Sequence, residues 1–159
     1  MERMETMTPD FSALSEEKKA KIEFIHNFDF SRIKARMNVD YPSTPKHINA
    51  LEKELKRFLS LFVVEEDGEH FFTESADDLW HYFILHTKEY KEFCKKVYGR
   101  FLNHNPILPD ETPLYLSAYN KTKELYTKYF GKPSVKLWGK NGVCCSGCSG
   151  RFDPIPLLN

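Results

Sequence analysis

Asp77 and His81 stand four residues apart, the spacing that places two side chains on one face of a helix. A carboxylate and an imidazole so placed can hold a divalent ion together, or the carboxylate can orient a ring nitrogen for proton transfer or metal binding. In a catalytic role His81 is ligand or general base, Asp77 its orienting partner or co-ligand, and Trp80 a wall that shields them. A plainer account stands beside it: Asp77 in a first helical turn favours the helix dipole, and His81 hydrogen-bonds to it. His104 follows in a proline-bounded connector, where it either folds back toward His81 or stays on the surface.

The second set is Cys145-x-x-Cys148 with Cys144 beside it, embedded in Ser and Gly. Thiolates at that spacing on a free backbone suit a soft metal, but a second pair is missing and zinc prefers four ligands. Closure then falls to Cys144, His104 or His81, or to a cluster shared between molecules. The candidate ligands are therefore Asp77, His81, His104, Cys144, Cys145 and Cys148, for a divalent transition metal, Zn or Fe. The same thiols could instead form disulfides, be modified, or simply occur in a disordered end. Cys94 falls in phase with a core stripe and reads as an inert buried thiol. His70 and His86 are weaker candidates, His86 reading as a half-buried, hydrogen-bonded histidine. No nucleophile elbow, phosphate loop or H-E-x-x-H helix occurs, so the familiar hydrolase, nucleotide and zinc-protease chemistries lack their motifs.

The elements that must carry these residues read as helices. Ser15 opens a short helix to about His26, followed by Phe24, Phe28 and Phe30 as core plugs. Thr44 to Val64 has Pro45 in its first turn and Ile48, Leu51, Leu55, Phe58, Leu59 and Phe62 at helical spacing. Ser75, with Asp78 in capping-box position, opens a helix to about Val97 whose core face is Leu79, Trp80, Phe83, Ile84, Thr87, Tyr90, Cys94 and Val97. Thr112 begins a third long helix that Gly131 and Pro133 end. The expected fold class is all-α: a small helical bundle with three long amphipathic helices, a shorter N-terminal helix and an irregular Gly/Cys C-terminal tail. The expected division is a flexible N-terminus (1–14), a helical domain (15–133) and an irregular tail (134–159), where any strand is short and local.

The 159 residues include 23 Lys plus Arg against 23 Asp plus Glu, with 41% hydrophobic and 14% aromatic residues. That balance describes one globular domain without global attraction to nucleic acid or anionic membrane. No apolar run approaches the roughly 18 residues of a membrane span, and the N-terminus lacks a signal-peptide core, so the expected compartment is the cytoplasm. Of the basic residues in the C-terminal part, Lys121 and Lys128 occupy a polar helix face, and the tail lacks the closing His and fourth Cys of a zinc knuckle, which argues against nucleic-acid binding. Partners are otherwise unspecified. A second functional reading is a non-enzymatic protein-interaction module, in which the Trp-His segment is structural and the Tyr-rich third helix or the tail faces a protein partner.

The run Asp77-Asp78-Leu79-Trp80-His81-Tyr82-Phe83-Ile84-Leu85-His86-Thr87, with Tyr90, Phe93 and Cys94, resembles the glycine-rich domain-containing protein-like family. The likeness continues through Tyr98-Gly99-Arg100-Phe101-Leu102-Asn103-His104-Asn105-Pro106, as in the short bacterial members, and backward through Glu54 to Phe62. It departs at Phe83 and Asn103, where the family pattern has further histidines, and the long glycine-rich domain of the larger members is absent. The resemblance implies an all-helical module and brings no agreed reaction.

Overall fold

Ser15 starts the first helix by accepting a hydrogen bond from the Lys18 N–H at 3.2 Å, with Glu16 and Glu17 at the positive end of the helix dipole. This helix, α1 (Glu16–Asn27), opens a computed structural model that describes residues 10–138 and 148–154. The aromatic corner Phe28–Phe30 turns the chain into α2 (Ser31–Asp40). That helix has no counterpart in the sequence reading, because its buried side is only Ile33 and Met37, too sparse to register as a periodic stripe. α3 (Pro45–Val64) begins where expected: Thr44 accepts from His47 N–H at 3.2 Å, and Pro45 takes the first-turn position that needs no donor. In its last turns Leu59, Ser60, Leu61, Phe62 and Val63 are all buried, which makes α3 the central helix.

A two-residue strand, β1 (His70–Phe71), leads into α4 (Glu74–Leu85) and α5 (Thr87–Tyr98). The single helix expected over 75–97 is thus two helices broken at His86, and the cause is local. The His86 ring nitrogen Nδ1 lies 2.7 Å from the Tyr82 carbonyl, while the His86 backbone N–H sits 3.4 Å from that oxygen and 3.1 Å from Phe83 O. A side chain that takes the helical acceptor for itself competes with the helix, and His86 leaves helical geometry with ψ at 65°. Thr87, in phase with the core stripe of an unbroken helix, is accordingly exposed. The start also differs: α4 follows Thr73 rather than a Ser75 capping box, and the Thr73 hydroxyl donates to Leu137 O instead of capping. α5 stops at Gly99, whose φ of 71° is costly for a residue with a Cβ.

The connector after Gly99 holds β2 (Asn103–Pro106), and α6 (Thr112–Phe130) ends at Gly131 as expected. Within 134–159, the segment expected to be irregular, the described residues form a one-turn helix α7 (Val135–Trp138) and a strand β3 (Cys148–Arg151). Trp138 is buried and ties α7 to the bundle. Its Nε1–H donates to Glu54 Oε2 at 3.0 Å, and Tyr126 O–H donates to the same oxygen at 2.8 Å. Arg57 donates to Tyr126 Oη at 2.8 Å and pairs with Glu54 Oε1 at 3.3 Å. A buried carboxylate is tolerable only when its lone pairs are used in this way.

The architecture is all-α in its body, seven helices among the described residues, with one small three-stranded sheet laid on it. α3 packs against α1, α4, α5 and α6. The sheet order is β1-β3-β2, with both pairings antiparallel. Phe58 and Phe72 stack at 4.2 Å beneath it, and Trp80 meets Phe58 edge-on at 5.3 Å. Each such fully buried ring contributes about 1.5–3 kcal/mol of transfer free energy. No helix among the described residues is long and apolar enough to cross a membrane.

Candidate metal centre

One turn of α4 supplies Asp77 and His81, with Asp77 turned inward (side chain 4% exposed) and His81 at the rim (45%). His104 arrives from β2, and a relay through the core fixes it there. Trp80 Nε1–H points to Tyr90 Oη at 3.3 Å, and Tyr90 O–H donates to Leu102 O at 2.7 Å. That bond anchors the strand two residues before His104, and the Trp80 ring then stands edge-on against the His104 imidazole at 4.1 Å. The Trp80 ring thus lies against His104.

Cys148 comes from β3, where the register matches His104 with Gly150 and Pro106 with Cys148. Residues two apart on a strand share a face, so Cys148 lies diagonally across from His104, on its side of the sheet. Gly150 makes this possible: a Cβ there would lie 2.7 Å from Phe62 Cζ and 2.8 Å from Trp80 Cη2. Only a residue without a side chain lets β3 lie so flat on the aromatic core. Gly150→Ala is expected to lift the strand and cost about 1–3 kcal/mol, the range for overpacking. Urea denaturation reads this, and unchanged stability would refute the close approach.

The donor atoms converge on one nitrogen. His81 Nε2 lies 3.0 Å from Asp77 Oδ2, 2.8 Å from His104 Nε2 and 3.6 Å from Cys148 Sγ. One ligand atom from each of Asp77, His81, His104 and Cys148 falls within 4.8 Å of every other. Asp77 Oδ1, 3.7 Å from His104 Nε2, is buried without a hydrogen-bond partner among the described residues, as is His104 Nδ1. The other ring nitrogen of His81, Nδ1, looks toward Asp78 Oδ1 at 3.9 Å. Asp78, read from the sequence as a capping residue, thus flanks the site; no spacing rule distinguishes that role on an exposed helical face.

The two imidazoles are shifted in opposite directions. The hydrogen bond to Asp77 raises the His81 pKa above its ordinary value, against partial burial. Burial pushes His104 down to about 4, with Asp77 opposing and His81 adding to the fall. His104 is thus a neutral imidazole at physiological pH, the form that ligates metals. Cys94 is buried in the core with its thiol pKa raised by desolvation, in keeping with an inert role. His70 is buried in β1, with Nε2 2.8 Å from Glu65 O, and His86 is spent on Tyr82. Cys144 and Cys145 lie outside the described residues.

A family model described as UCP032817-like matches residues 20–112, more than half of the chain. The chain belongs to the UCP032817-like family. This corrects the resemblance to glycine-rich domain-containing proteins: short aromatic-His helix runs are shared too easily by amphipathic helices to carry that assignment. UCP032817-like is an uncharacterised family, so membership brings no reaction with it. No curated protein and no solved structure matches the chain. The UCP032817-like match contains Asp77, His81 and His104 and ends before Cys148.

Proposed function

We propose that this protein binds one Zn(II) ion through Asp77, His81, His104 and Cys148, and that the ion cross-links α4 to the sheet. The supporting observation is the convergence of three donors on His81 Nε2. A ring nitrogen carries one proton or one lone pair, so it can satisfy one of Asp77, His104 and Cys148 but not all. A Cys-His-Asp catalytic triad uses the two imidazole nitrogens separately, one toward the nucleophile and one toward the carboxylate. Here carboxylate and thiol approach the same nitrogen, an arrangement that makes sense around a shared cation. In a tetrahedral zinc site with bonds of about 2.0–2.3 Å, ligand atoms sit about 3.3–3.8 Å apart. The separations of 2.8, 3.0 and 3.6 Å around His81 Nε2 fall below and within that range, and every donor lies within 4.8 Å of the others.

The donor set favours zinc over iron. Non-haem Fe(II) sites of the two-His, one-carboxylate kind keep positions open, whereas Cys148 supplies a fourth, soft donor that closes a tetrahedron. Four protein ligands make the role structural, and on this reading the helical domain of residues 15–133 and the segment 134–159 work as one unit. The interaction-module alternative has less support, since Tyr119 and Tyr126 of α6 are buried and Tyr115 and Tyr129 are partly buried.

Elemental analysis of untagged protein purified without chelator tests the proposal, alongside a C144S/C145S double variant. About one zinc per chain is expected in both. Co(II) loaded in its place should show a thiolate charge-transfer band that Cys148→Ser removes. Zinc absent from both proteins after loading would overturn the proposal, and zinc lost only from the double variant would move the site to those two thiols.

A further inference from the structure

Resting on the zinc reading, the topology supports a step beyond it. β3 is the last of the three strands in the chain, yet it occupies the centre of the sheet. β1 and β2 do not pair with each other; each pairs only with β3, through His70↔Gly150 and Phe71↔Ser149 on one side and Asn103↔Arg151 through Pro106↔Cys148 on the other. The sheet therefore exists only while this late segment is inserted. We propose that Cys148–Arg151 is a metal-latched strand: the ion bound by Cys148 together with α4 and β2 holds it in the slot between β1 and β2, and loss of the ion lets it leave.

The other attachments of β3 are those of a strand that can leave. Ser149 O–H donates to Glu69 Oε1 at 2.5 Å, on the turn before β1. Beyond the strand, Arg100 stacks on Phe152 at 4.1 Å, and Asn103 Nδ2 donates to Asp153 Oδ1 at 2.9 Å. The polar contacts are each worth little alone; the apolar anchor is Phe152, past the strand, buried against Phe62 at 5.9 Å and Tyr98 at 5.1 Å. Gly150 buries no side chain of its own. Within the strand, the Cys148 thiol reaches in among Asp77, His81 and His104. Departure of β3 takes away the thiol, leaves the other three donors around the ion with its fourth position open, and uncovers Phe62 and Trp80 beneath Gly150.

Hydrogen exchange on the full chain, read by mass spectrometry with and without buffered Zn(II), tests this. If the open state holds zinc far more weakly than the closed one, ligand linkage slows its exchange by a factor of one plus the ratio of free zinc to Kd, about 100-fold at free zinc a hundred times the dissociation constant. The slowing should cover residues 70–72, 103–106 and 148–152, leave α1 and α2 unchanged, and be absent from Cys148→Ser. Zinc bound at one equivalent with unchanged exchange in those three segments overturns the latch while the binding site stands. Failure to bind zinc at all overturns both.

Discussion

His81→Ala should weaken zinc binding by more than about 100-fold while the helical body stays folded. Altering only the outer partners of metal ligands costs about 10–100-fold in affinity, and His81 is proposed as a ligand to which every other donor is adjacent. Its side chain is 45% exposed, so little packing is lost with it. What the metal-free protein does lose is the hydrogen bond to buried Asp77, about 1–2 kcal/mol. Competition against a chromophoric chelator gives the affinity, and urea unfolding of the two metal-free proteins gives the stability. A variant that is strongly destabilised yet keeps its zinc affinity would point to a purely structural His81. Equal zinc affinity in a folded variant would sink the site.

The second large effect belongs to a residue with no place in the proposed metal site. Glu54→Ala is expected to destabilise the protein by about 3–5 kcal/mol, because it leaves Tyr126 O–H and Trp138 Nε1–H buried without their shared acceptor and strips Arg57 of its counter-charge. Burial beside this carboxylate already pushes the Tyr126 phenol well above its ordinary pKa, which keeps it a donor. Glu54→Gln retains one acceptor oxygen and should cost much less. The midpoint of urea unfolding separates the two variants; similar small losses in both would mean the network carries little of the stability.

The helices were legible where an apolar stripe, a cap and a stop agreed, as in α3 with Thr44, Pro45 and its run from Ile48 to Phe62. They were not legible where one side chain overrode the pattern: the core phase runs on from Phe83 to Tyr90, and nothing in it says that the His86 ring will take the Tyr82 carbonyl. β3 was illegible for a different reason. Cys-Ser-Gly-Arg has no alternating apolar face and no β-branched residue, and its place in the sheet comes from tertiary packing under Gly150. The candidate site divides along the same line. Asp77 and His81 could be paired from spacing alone, because helical periodicity is local. His104 and Cys148 were named as candidates, but bringing them to the same point requires the Tyr90–Leu102 anchor and the antiparallel register, neither of which leaves a mark in residue spacing.

The order of the proposed ligands along the chain also sets a clock. Asp77, His81 and His104 leave the ribosome well before Cys148, and at about 5–20 residues per second the interval is a few seconds, ample time for local helices to form. During that interval the nascent bundle presents two histidines and a carboxylate with no thiol, and β1 and β2 with no strand between them. Closing the sheet is then a late, long-range event of the kind that slows folding. On the zinc reading, the nascent chain is most open to aggregation, and to capture of the wrong metal, in the moments before its central strand is made.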